Sequence, residues 1–118
     1  MTMKTLLTSA LMLTLTEARA DPAGSFRDLG AQYQSCTKVK GSAATAGSWV
    51  RVRFSVRKDG SLFGYPRIDN SGLVGPLDEQ AAFRKEAIRE FAKCFPISVT
   101  PEFGEALAGR ILFARITG

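Results

Sequence analysis

Histidine is absent from the 118-residue chain, and that absence bounds the chemistry before anything else does. Without histidine there is no His-based catalytic triad, no His acid–base pair and no His-containing metal site. The carboxylates of Asp59, Asp69, Asp78, Glu79, Glu102 and Glu105 fall in turns or at helix starts, where backbone roles account for them. Neither a Walker motif nor G-x-G-x-x-G occurs, so no nucleotide or dinucleotide cofactor is expected. A non-enzymatic protein, with no cofactor and no metal, is expected. Two cysteines, Cys36 and Cys94, stand far apart and form no C-x-x-C pair. With an even count in an exported chain, they are expected to form one structural disulfide.

What remains is arginine. In "VRVRFSVRKDGSLFGYPRIDNSG", Val50 to Gly72, apolar and cationic residues alternate, so that Arg51, Arg53 and Arg57 share one face of a strand. The plain reading is the solvated side of an amphipathic strand. The functional reading joins Arg67, Tyr65 and Phe63 to that face as a basic, aromatic surface for an anionic lipid or peptidoglycan. A basic surface of this kind also suits nucleic acid, but an exported domain is not expected to meet it.

Export is read from the first twenty residues. Lys4 precedes an apolar run from Leu6 to Leu15, and Ala18-Arg19-Ala20 fits a small-x-small cleavage site. The run is too short for a bilayer-spanning helix, which needs roughly 20 residues. Residues 1–20 are therefore expected to be a signal peptide cleaved after Ala20, leaving a single domain, 21–118, with no transmembrane anchor. Of the chain's net charge of +5, the mature part keeps a mildly basic balance that selects no partner class by itself.

The elements that hold these residues follow from periodicity. Asp21 to Gly24 reads as a loose mature N-terminus. Ser25 is a candidate helix cap with Asp28 three positions on, and Phe26, Leu29, Tyr33 and Cys36 recur at helical spacing, with Gly30 weakening the helix. Thr37 to Ser48 reads as a loop. Trp49 to Arg57 is the first strand and Ser61 to about Asp69 the second. A three-residue turn at Lys58-Asp59-Gly60, with Gly60 left-handed, keeps one face apolar by setting Val56 against Leu62, Phe54 against Gly64 and Val50 against Ile68. On the other face Arg53 then meets Tyr65 and Arg51 meets Arg67. Pro66 would lie opposite Val52 and point outward, making the second strand an edge. From Leu77 or Asp78 to Cys94 the chain is helical, with Phe83, Ala87, Ile88, Phe91 and Cys94 on its buried stripe. Ile97 to Gly109 reads as a long irregular connection, and Arg110 to Ile116 as the last strand. A right-handed crossover places that strand beyond the first, in spatial order 2-1-3. The fold class is α+β, a three-stranded sheet with helices packed on one face.

"VRVRFSVRKDGSLFGYPRIDNSG" followed by "LDEQAAFRKEAIREFAKCFP" resembles the C-terminal domain shared by the periplasmic envelope proteins TonB and TolA. The resemblance spans Tyr33 to Ile116, and the placing of Cys36 and Cys94 is more like the TolA-type version. It implies a non-catalytic periplasmic domain whose last strand takes up a segment of an envelope or outer-membrane protein. Here that strand is Arg110, Ile111, Leu112, Phe113, Ala114, Arg115 and Ile116, whose open edge would also permit a homodimer. Without a membrane helix and long spacer ahead of the domain, a soluble adaptor role is expected rather than energy transduction. The rival is the basic face of Arg51, Arg53, Arg57, Tyr65 and Arg67 acting on an anionic glycolipid or peptidoglycan. A secreted inhibitor is a further alternative.

Overall fold

The computed structural model describes residues 22–118, so the expected signal peptide lies outside the described residues. The helix expected from Ser25 onward is α1, Phe26–Tyr33. The Ser25 hydroxyl accepts from the Asp28 N–H at 3.2 Å, and the Asp28 carboxylate reaches back to the Gly24 N–H at 3.2 Å. A short 3-10 turn, Gln34–Cys36, follows. β1 is Trp49–Phe54, β2 is Arg67–Gly72, α2 is Leu77–Ala92, α3 is Pro101–Leu107 and β3 is Leu112–Thr117. β1 pairs antiparallel with both neighbours, so the sheet has the expected order β2-β1-β3 and the class is α+β.

The hairpin turn forms as its sequence dictates. Gly60 has φ +88°, its N–H bonds to the Arg57 carbonyl at 2.9 Å, and Val56 bridges Leu62. The Asp59 carboxylate accepts from both the Ser61 N–H and the Ser61 hydroxyl, and these bonds hold it below the usual carboxylate range. A side chain at Gly60 would also collide with the Ile97 carbonyl, 2.0 Å from the site of a Cβ. Both backbone conformation and close approach thus require glycine there.

Beyond Leu62 the second strand departs from the expected one. It breaks at Gly64, whose φ is +79°, and resumes only at Arg67. The two extra residues bring Ile68, not Pro66, opposite Val52. Pro66 is buried outside the ladder rather than pointing outward. A shift of two keeps the faces in phase, because side chains alternate with period two. A bulge follows between Arg51 and Val52 on the β1 side of the register, and Asp69 is the residue left over.

Three further differences concern the chain outside the sheet. Ala23 is fully buried rather than loose, held by Val99 in a parallel bridge with bonds of 2.8 and 2.9 Å on its two sides. The connection after Ile97 contains α3, capped by Thr100, whose hydroxyl accepts from the Phe103 N–H, with Pro101 in the first turn. That Thr-Pro-Glu start is a helix signal. α2 ends at Ala92, before the expected Cys94, and a cis Phe95–Pro96 bond follows.

The core forms on one face of the sheet. Val50, Val52 and Phe54 of β1 are buried with Phe83, Ala87 and Phe91 of α2, Leu29 and Tyr33 of α1, and Phe103 and Leu107 of α3. The Cys36–Cys94 disulfide, Cα–Cα 6.2 Å, fastens the end of α1 to the end of α2.

Candidate functional site

β3 offers a regular free edge. At its C-terminal end the Thr117 N–H bonds to the Thr37 carbonyl, and the Thr117 carbonyl accepts from the Val39 N–H, both at 2.9 Å. Both backbone groups of Thr117 therefore point away from β1. The ladder to β1 runs without a bulge, and backbone direction alternates along a strand, so Phe113 and Arg115 point the same way. No bond to their outward N–H and C=O groups occurs among the described residues. The Thr37–Val39 segment closes one end of the edge and leaves the rest open. The other edge is blunted: β2 carries a bulge and follows a buried proline.

The seven residues expected at this site divide accordingly. Phe113 and Arg115 present the open backbone. Leu112, Ala114 and Ile116 turn their backbone groups toward β1, and the last two are buried. The Arg110 backbone is occupied, its N–H donating to Leu107 and its carbonyl accepting from the Ser55 hydroxyl at 2.8 Å. Ile111 is 61 % exposed beside the strand.

Beside this edge lies an open, mainly apolar groove of about 430 Å³, walled by α1 on one side and by Ile111, Leu112 and Phe113 on the other. Phe26, exposed on α1, packs edge-on against Phe103 and lies beneath the Arg110 guanidinium. Gly30 contributes no side chain to the wall, and a Cβ there would meet nothing within 4 Å. Gly30 reads in the sequence only as a flaw in a helix; the gap it leaves depends on β3 lying across from it, a long-range relation with no local signal. Tyr33 lines the groove too, and its buried hydroxyl has no hydrogen-bond partner among the described residues. Burial pushes its phenol above the usual range. Because an unsatisfied buried hydroxyl is unfavourable, Tyr33→Phe is expected to leave the free protein as stable as before or up to about 1 kcal/mol more stable. A denaturation midpoint that falls instead would reveal a partner for the hydroxyl.

The opposite face of the sheet carries the arginines, though not the set expected. Arg51 is bound by Asp69 through two contacts of 2.9 and 3.1 Å and lies over the Phe113 ring at 4.7 Å. Its guanidinium keeps the Asp69 carboxyl below the usual range. Arg53 faces Arg67 on one side and Phe113 on the other. Arg57 instead turns into the hairpin, donating to the Leu62 carbonyl at 2.7 Å and lying over Phe63. Tyr65 projects from the break in the second strand, 91 % exposed. Arg115 is the addition, lying over the Trp49 ring at 4.2 Å. Trp49 in turn covers Gly72, where a Cβ would fall 2.3 Å from the indole nitrogen. Arg53, Arg67 and Arg115 make no ion pair among the described residues.

The carboxylates do not converge. Asp59 serves the turn, Asp69 serves Arg51, and Glu79 accepts from the Ser42 hydroxyl. Asp78 and Glu102 stand in first turns of helices. No helix among the described residues is long and apolar enough to cross a membrane.

A family model described as Uncharacterised conserved protein UCP034077 matches residues 19–118. Neither the curated proteins nor the solved structures give a match.

Proposed function

The chain belongs to the UCP034077 family, and we propose that it is a non-catalytic binding module that takes an extended segment of a cell-envelope protein as a fourth strand on β3. The observation that carries this reading is the pair of unpaired, outward-facing backbone positions, Phe113 and Arg115, next to an apolar groove. An extended peptide laid there gains main-chain hydrogen bonds from the edge and side-chain burial from the groove. The sequence resemblance to TonB and TolA C-terminal domains supports the same mode. So does the expected export signal taken with the disulfide, a pair that suits an oxidising periplasm. In that setting the protein acts as a soluble adaptor.

The backbone directions choose the test. Proline at Leu112 would remove a bond to β1, whereas proline at Phe113 removes only an outward N–H. Phe113→Pro is therefore expected to fold with near-native thermal stability and to lose capture of a partner from an envelope extract. Gly30→Leu should block the groove while improving the helix, and should lose the same partner. A folded Phe113→Pro protein that captures the same partner as wild type would refute the reading.

The second reading has its own observation, the three arginines on the open sheet face that make no ion pair among the described residues. An anionic glycolipid or peptidoglycan held there would bind in a strongly salt-dependent manner. Charge reversal at Arg53 and Arg67 would abolish that binding and leave Phe113→Pro without effect.

A further inference from the structure

We infer that the segment taken up at the β3 edge is acidic, with apolar residues at every second position and carboxylates between them. This rests on the strand-addition reading above. A strand added to a sheet alternates its side chains between the sheet's two faces. On the helical side they would enter the apolar groove beside Phe26, Leu29 and Leu112. On the other side they would stand next to Phe113 and Arg115, which share the arginine face with Arg51 and Arg53.

The electrostatics of that second side are unbalanced. Arg51 opposes Arg115 and is already matched by Asp69. Arg53, opposite Phe113, and Arg115 have no carboxylate of their own among the described residues. Opposite charges facing each other across neighbouring strands are stabilising, and like charges are destabilising. A carboxylate beside Arg115 supplies the missing charge, whereas a lysine there is repelled. The same balance disfavours a second copy of the chain on this edge. Pairing β3 with β3 would bring two arginine faces together in a protein of net charge +5.

Synthetic peptides as long as β3, six residues, test this directly. One alternates leucine with glutamate, a second leucine with threonine, a third leucine with lysine. A fourth is the glutamate peptide N-methylated on the amides that would face β3. Each is titrated onto the disulfide-bonded protein. Binding is read by fluorescence of Trp49, the one tryptophan of the chain, and by the amide resonances of Phe113 and Arg115. The glutamate peptide is expected to bind about tenfold tighter than the threonine peptide, with the lysine peptide weakest and the gap closing in high salt. Arg53→Glu combined with Arg115→Glu should reverse the order. If that variant does not fold, Arg53→Gln with Arg115→Gln should level the glutamate and threonine peptides.

Equal affinities for the glutamate, threonine and lysine peptides would overturn the acidic assignment and leave strand addition standing. Unchanged binding of the N-methylated peptide would overturn strand addition and the inference with it, as would failure of every peptide to bind. Binding to phosphatidylglycerol vesicles in place of the peptides would assign the arginine face to a membrane. Self-association that the glutamate peptide cannot displace would give the edge to a second copy. Either of those outcomes also overturns the inference.

Discussion

Replacing Cys36 and Cys94 together by serine is expected to cost about 4 kcal/mol of folding stability, the entropy of an unfolded chain released from a 58-residue closure. For a domain of this size that loss lowers the melting temperature by roughly 20 °C. In the folded state the bond holds a weakly anchored helix. α1 has only eight residues, too short to persist alone, and buries just Leu29 and Tyr33. Its start is tied to the chain after α2 through Ala23 and Thr100, and its middle through Gln32, whose amide bonds both backbone groups of Ser98. The disulfide fixes its end. Thermal melts of wild type, each single variant and the double variant, with and without reductant, check this. Reduced wild type should melt with the double variant, and a difference of only a few degrees between oxidised and reduced protein would contradict it. Hydrogen exchange should show α1 opening first, because its other ties are few. Loss of the α1 wall would also loosen the groove, so partner binding should weaken before the sheet unfolds.

The sheet was legible in the sequence because its signals are local. The alternation of Val50, Val52 and Phe54 with Arg51 and Arg53 declares a half-buried strand. Lys58-Asp59-Gly60 sets the turn and with it the pairing of Val56 with Leu62. The parity argument held as far as Ile68, although the register did not. The break between Gly64 and Pro66 adds two residues, so Arg67 and Ile68 keep their expected faces with new partners, and the bulge at Asp69 then swaps the faces from Asn70 onward. α3 was also written locally, in Thr100 and Pro101, but seven residues with only two large apolar side chains give a weak periodic pattern.

The site was legible only in part, since its decisive features are relations between distant segments. That the last strand would be an edge followed from order 2-1-3. Which of its residues face outward depends on where Thr117 meets Thr37 and Val39. Nothing in the spacing of a featureless loop announces that contact. Arg115 was read as part of the edge, and its place beside Trp49 and Arg51 appears only when β3 is laid against β1. Arg57 shows the converse. It has the right parity for the basic face, yet its guanidinium is taken up by the Leu62 carbonyl.

Phe91→Ala is expected to be as damaging as loss of the disulfide, at about 3–5 kcal/mol. Phe91 is fully buried, with its ring centroid 5.0 Å from Phe54, 5.1 Å from Phe95 and 5.8 Å from Tyr33. It is thus the point where α2 meets both β1 and α1, and truncation removes apolar contact with all three while leaving a cavity the rigid aromatic neighbours cannot fill. Edge-on ring pairs add to the loss beyond area alone. Phe113→Ala makes the contrast, because Phe113 is half exposed and packs mainly beneath the Arg51 guanidinium. That change should cost no more than about 1 kcal/mol of stability. Chemical denaturation of the two variants separates them, and comparable losses would mean that Phe113 belongs to the core rather than to the edge. On the proposed reading, the half-exposed Phe113 ring beside the open strand meets the side chains of the added segment. Phe113→Ala should therefore weaken binding of an added strand more than it weakens the fold, and Phe91→Ala the reverse.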